Sequence, residues 1–189
     1  MGEGDRRYYK RAPDLRLISV PHTGTVFTRY VLGLMGLTDH RNDGVGYLSH
    51  HTYEFDGPWL VLPETARIIV PLRDPMLAEC SRINRGFGAD ISDWDHITPL
   101  DAHFFRVQQP EGVSRADAVV GLAGFLGKPA PDVDWTPKNA RPDRRNVKSA
   151  YARGEITSEL RPAWDWLRQS EPTKALFRAQ GYNLPWMED

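Results

Sequence analysis

Four short groups of residues in this chain are of the types that handle anions and protons. Pro21-His22-Thr23-Gly24-Thr25-Val26-Phe27 joins an apolar run to a helical pattern. A helix N-terminus exposes unpaired amide donors and the positive end of a dipole, which suits a phosphate. Gly24 lets the backbone come close to such a ligand, and the Thr23 and Thr25 hydroxyls add donors. An ordinary turn with threonine as the helix cap is the alternative. Arg73-Asp74-Pro75 closes a second apolar run, and Ser81 follows eight residues after Arg73. Guanidinium groups bind phosphate oxygens in bidentate fashion, although an arginine at a strand end also pairs simply with solvent or a carboxylate. His50 and His51 are adjacent, so in a strand they point to opposite faces and at most one serves a site. Ala152-Arg153-Gly154 is a fourth group, near the C-terminal helices.

The elements that must position these groups are legible from the hydrophobic pattern. Leu15 to Val20 reads as a strand stopped by Pro21. From Gly24 a helix presents Val26, Phe27, Tyr30, Val31, Leu34 and Met35 on one face, with Gly36 as its stop. Gly44 to His50 reads as a short strand ending in the histidine pair. Ala66 to Leu72 is a run apolar enough for a sheet covered on both faces. Asp74 then caps a helix starting at Pro75 and ending at Gly86. Thr98 with Asp101 and Ser114 with Asp117 both resemble capping pairs, the second opening an apolar helix that stops near Gly127. Lys128 to Asn146 is Pro-rich and basic, a surface loop. Helices resume over Ser158 to Arg168 and Pro172 to Gln180, with Gly181 as the stop. Strand, loop and helix in alternation predict a three-layer α/β sandwich with a mostly parallel central sheet. Its ligand would bind at the carboxyl ends of the strands.

Composition narrows the classes. In 189 residues, 40% are hydrophobic and 26% charged, as in an ordinary globular domain. One domain over 1–189 is expected, with 1–13 a peripheral segment. Twenty-four basic residues balance 25 acidic ones, so a nucleic-acid partner is not expected. No apolar run is long enough for a membrane span. Met1 to Arg11 lacks the apolar stretch of a signal peptide, and Cys80 is the single cysteine, so a reducing cytoplasm is the expected setting. No metal is expected: the His50–His51 pair has no evident third ligand, and Asp93, Asp95 and His96 read as an Asp-rich turn. Trp94, Trp164 and Trp166 read as packing residues, and Arg141, Arg144, Arg145 and Lys148 as a solvated basic patch.

In order and spacing, these groups resemble the sulfotransferase family, whose members use 3′-phosphoadenosine 5′-phosphosulfate. That family carries a loop like P-K-[SA]-G-T-[TS]-[WF] after its first strand, matched here by Pro21 to Phe27. Its second signature, R-[DN]-P with a serine eight residues after the arginine, is matched by Arg73-Asp74-Pro75 and Ser81. His51 lies 22 residues before Arg73, resembling the spacing of the catalytic histidine in cytosolic members. Ala152-Arg153-Gly154 is similar to part of the family's R-K-G triplet, and Gly181-Tyr182 to its C-terminal ending. The likeness runs from about Leu15 to Tyr182.

The resemblance implies a P-loop-like fold and sulfuryl transfer from that nucleotide to a hydroxyl or amine acceptor. His22, Thr23, Gly24, Thr25 and Val26 would hold the 5′-phosphosulfate, and Phe27 would contact the adenine. Arg73, Ser81, Arg153 and Gly154 would hold the 3′-phosphate. His51 would be the general base, with His50 the fallback. His22 replaces the loop lysine and Ala152 the triplet's first arginine. A protonated His22 would supply the missing charge and make the rate decline as pH rises through its pKa. The chain is also shorter than typical members, and the acceptor, like the oligomeric state, is left open. A divergent P-loop kinase is a second reading, weakened because the loop lacks the Gly-Lys-Ser/Thr tail of a Walker motif. A nucleotide-binding module without turnover is a third.

Overall fold

The computed structural model describes residues 14–39, 46–52, 65–86, 91–136 and 142–188. Segment 1–13 and Arg141 lie outside them. Five strands, β1 (Leu15–Ser19), β2 (Thr38–Asp39), β3 (Gly46–His51), β4 (Arg67–Leu72) and β5 (His103–Arg106), form one sheet in the order β2-β3-β1-β4-β5. Every pairing is parallel. The helices are α1 (Thr25–Leu34), α2 (Pro75–Arg85), α3 (Arg115–Leu126), α4 (Val147–Ala152), α5 (Arg161–Gln169) and α6 (Glu171–Ala179). Short 3₁₀ turns cover Ile91–His96 and Pro185–Met187. None of the described helices is long and apolar enough to cross a membrane.

Period-two alternation explains how the sheet sits between helices. Leu15, Leu17 and Ile69 face one cluster, with Val31 and Leu32 of α1 and Val119 and Leu122 of α3. Ile18, Ile68, Val70 and Leu72 face the other, with Met76, Cys80 and Ile83 of α2, Leu167 of α5 and Phe177 of α6. Trp94 belongs to that second cluster, packing edge-on to Phe177, and Trp164 and Trp166 lie against it. The edge strand pair is tied to α1 by Arg29, whose Nη2 lies 2.7 Å from Ser49 Oγ and 2.9 Å from Asp39 Oδ2.

Local signals set the helix ends well. Asp74 Oδ1 accepts from the Met76 amide at 3.0 Å, and Ser114 Oγ accepts from the Asp117 amide at 3.1 Å. Gly86 and Gly127 end their helices in the left-handed region. The Thr98–Asp101 pair, although it resembles a capping pair, opens no helix. Thr98 Oγ1 turns back to the Asp95 carbonyl, and the chain runs on extended into β5. The physical reason is non-local: β4 needs a partner on its free edge, and Phe104 and Phe105 pair with Val70 and Pro71 there. The next-to-last helix begins at Arg161 rather than near Ser158.

This strand order places β1 between β3 and β4. The chain leaves β1 toward the β3 side and leaves β4 toward the β5 side, so a crevice opens at the carboxyl ends of β1 and β4. Open α/β sheets bind ligands at such switch points.

Candidate functional site

The loop after β1 is a tight turn held from within. Thr23 donates to the Val20 carbonyl through its hydroxyl at 2.7 Å and its amide at 3.3 Å. His22 (φ 69°) and Gly24 (φ 109°) both occupy the left-handed side, and Thr23 between them does not. Alternation of this kind turns successive amides toward one concavity, an anion-binding arrangement. Histidine is among the few non-glycine residues that tolerate positive φ. Gly24 is required twice over: besides its φ, an added Cβ would lie 2.6 Å from Val107 Cγ1. Val107 is held there because its amide donates to the Leu72 carbonyl at 2.9 Å, just beyond β5. Thr25 then opens α1, whose first amides have no partner within the helix.

The second segment meets this loop. Arg73, at the end of β4, directs Nη1 to the His22 carbonyl at 3.4 Å. Ser81 and Arg85 lie one turn apart along α2, and Arg82 shares a crevice with Val20, Pro21, Ala78, Glu79 and Trp94. Arg82 is neutralised by Glu79, which accepts from Nε at 2.7 Å. Arg85 makes no hydrogen bond or ion pair among the described residues, although it is half-buried.

Around His22 these charges have a clear effect. Burial first, then the positive charges of Arg85, Arg82, His51 and Arg73, push its imidazole down to about 4. The ring is therefore neutral near pH 7. This runs against the expectation that a protonated His22 supplies the loop's charge in the unliganded protein. The cationic character of the site comes from the arginines instead.

Adjacent histidines of β3 separate as the pleat requires. His51 is paired with Ser19 of β1 and shares its face, where Ser19 Oγ lies 3.1 Å from His51 Nδ1. His50 is paired with Ile18, on the opposite face, and is 1% exposed. Of the two, His51 is the one half-open at the site, and the fallback role for His50 loses its basis in access.

Four expected binding residues, Val26, Phe27, Arg153 and Gly154, lie outside the turn itself. Val26 is exposed on α1. Phe27 packs in the apolar cluster, parallel to Phe105 at 6.4 Å and 4.9 Å from Trp135, so its ring is already sandwiched by protein. Arg153 is exposed at the end of α4, bidentate to Glu155 at 2.8 and 3.0 Å, with Gly154 beside it at φ 81°. Within the basic patch, Arg145 pairs with Glu159 at 3.1 Å. Among the described residues no three His, Cys, Asp or Glu side chains gather into a metal-holding group.

Sequence reasoning missed the distant partners of Asp74, which it read as a helix cap. Asp74 is buried and accepts from the Met76 amide, from Trp186 Nε1 at 3.1 Å and from the Tyr151 hydroxyl at 2.9 Å. Its own amide donates to Gln108 Oε1 at 3.1 Å, and the Gln108 carbonyl accepts from Tyr182. The cap was readable; its partners 77 and 112 residues away were not. Ser19 was also missed, since nothing in a strand LRLIS marks its serine as polar machinery.

Comparison with protein-family models, with curated proteins and with solved structures finds no match to this chain.

Proposed function

We propose that this protein is a P-loop-like sulfotransferase, moving a sulfuryl group from 3′-phosphoadenosine 5′-phosphosulfate to a hydroxyl or amine acceptor. One observation carries the reading: Arg73 reaches the His22 carbonyl, so two segments 51 residues apart meet, and His51 acts electrostatically on the same His22. Both segments are those whose motifs resemble the family's nucleotide-binding signatures.

In this mechanism the Gly24 and Thr25 amides and the Thr25 hydroxyl hold the 5′-phosphosulfate on a turn that Thr23 closes through Val20, and Arg73 with Ser81 holds the 3′-phosphate. The acceptor oxygen attacks sulfur in line as the bond from sulfur to the bridging oxygen breaks. His51 takes the acceptor's proton, and adenosine 3′,5′-bisphosphate leaves. Charge builds on the bridging and phosphate oxygens, where preorganised donors lower the barrier most. Neutral His22 contributes a hydrogen-bonding ring. Arg85, without a carboxylate partner among the described residues and close enough to depress His22, supplies the positive charge that a loop lysine supplies in the family.

The test is thermal. Adenosine 3′,5′-bisphosphate at about 100 times its dissociation constant, without magnesium, raises the melting temperature by about 5 to 10 °C. Stabilisation by magnesium-ATP and none by the bisphosphate would turn the assignment toward a kinase. His51→Ala then separates enzyme from binding module: transfer is lost while bisphosphate binding stays.

A further inference from the structure

The hydroxyl of Ser19 joins the phosphate loop to His51. Ser19 is fully buried at the end of β1, one strand away from its register partner His51. Thr25 Oγ1, at the first position of α1, donates to Ser19 Oγ at 2.9 Å. Ser19 has one proton of its own and two acceptors in reach: His51 Nδ1 at 3.1 Å and the His50 carbonyl at 3.5 Å. The nearer acceptor is the ring nitrogen. A hydroxyl that accepts from Thr25 and donates to Nδ1 makes Nδ1 an acceptor, which leaves the proton of the neutral ring on Nε2. In that tautomer Nε2 cannot take a proton from an acceptor hydroxyl.

Thr25 also has a single proton, and it stands at the helix N-terminus where an anion would bind. If its hydroxyl turns to a phosphate oxygen, it no longer donates to Ser19. Ser19 Oγ then accepts from a protonated Nδ1 and gives its own proton to the His50 carbonyl. The neutral ring loses one proton from Nε2 to solvent and gains one at Nδ1, with no net change in charge. Nε2 now presents a lone pair.

We propose that Ser19 is a positioning residue that couples occupancy of the phosphate loop to the tautomer of His51, so that the base is competent only when an anion is bound. The proposal rests on the functional reading above for His51 as base, and on hydrogen-bond geometry alone for the coupling. Gating of this kind would keep the base idle until the donor is in place.

Nitrogen-15 NMR of histidine-labelled protein at pH 8, with His51 assigned by the loss of its signals in His51→Gln, tests it. Two probes are used separately, adenosine 3′,5′-bisphosphate and inorganic phosphate. In the free protein His51 shows the pattern of protonated Nε2, and either probe shifts it to that of protonated Nδ1. In Ser19→Ala the anion still binds within about threefold, but the His51 pattern no longer responds to it; Thr25→Val abolishes the response, and Thr25→Ser restores it. Transfer by Ser19→Ala falls about 10- to 100-fold in kcat with little change in KM, a part of what general-base catalysis contributes. A protonated Nδ1 in the free protein, or one tautomer with and without anion, overturns the proposal. A response to phosphate but not to the nucleotide upholds the coupling and defeats the sulfotransferase assignment. If neither anion binds, both are overturned.

Discussion

Arg73 and Asp74 are neighbours in the chain and opposites in surroundings. The Arg73 guanidinium reaches the loop through one long hydrogen bond, to the His22 carbonyl at 3.4 Å. The Asp74 carboxylate is buried and filled with donors: the Met76 amide, the Trp186 indole and the Tyr151 hydroxyl. Burial raises its pKa even against those hydrogen bonds. Asp74 therefore binds the C-terminal segment and α4 to the end of β4, while Arg73 is left with capacity to spare. The difference teaches how this fold divides its labour. With Asp74 saturated by donors, Arg73 is the neighbour left with unspent hydrogen-bonding capacity.

The sharpest way to break this contrast is to truncate each residue. Asp74→Ala strips a helix cap and leaves buried donors on Tyr151 and Trp186 without an acceptor. It costs about 3 to 4 kcal/mol in urea unfolding, whereas Arg73→Ala changes stability by less than about 1 kcal/mol. Equal losses would show that the two neighbours share one structural role. On the ligand side the order reverses. Arg73→Ala weakens adenosine 3′,5′-bisphosphate by about 2 kcal/mol, the worth of a charge-assisted hydrogen bond. The analogue lacking the 3′-phosphate is barely affected in a calorimetric titration. A uniform loss would move Arg73 from the phosphate to general loop support.

Gly24 sharpens the comparison from the loop's side. Gly24→Ala adds a methyl against Val107 in a left-handed conformation, costing about 1 to 2 kcal/mol. Val107→Ala in the same chain removes the clash and returns part of that, leaving the backbone share. If the double variant is no better than the single one, contact with Val107 is not what demands the glycine.

The smallest effect is the pH dependence of His22. Its pKa is about 4 in the folded protein against an ordinary 6.5. Between those values the unfolded chain binds a proton that the folded one refuses, so stability present above 6.5 declines as pH falls toward 4. His22→Gln flattens this part of the profile in denaturant titrations. A bound phosphate opposes the arginines and raises the His22 pKa, so bisphosphate binding takes up protons below pH 6.5.

Where the physics is local, the residues alone determined the outcome. The apolar runs at Leu15 and Ala66 became strands because both pleat faces are apolar. Asp74 and Ser114 began helices, and Gly86 and Gly127 ended them, as their side chains and backbone freedom dictate. The parallel sheet followed from strands alternating with helices. Where contacts join distant segments, only the tertiary structure decided. β5 is four residues long and took its identity from the open edge of β4, not from its own pattern. His22 lost its charge because the fold buries it among arginines of a helix some sixty positions away in the chain. Ser19 acquired a histidine partner only through the register of β1 on β3. Phe27, which resembles an adenine contact in the linear motif, was drawn into packing by Phe105 and Trp135, residues that no reading of its own segment includes. Backbone preference and capping act over a few residues and are written in order along the chain; burial, register and electrostatic neighbours exist only once the chain has closed on itself.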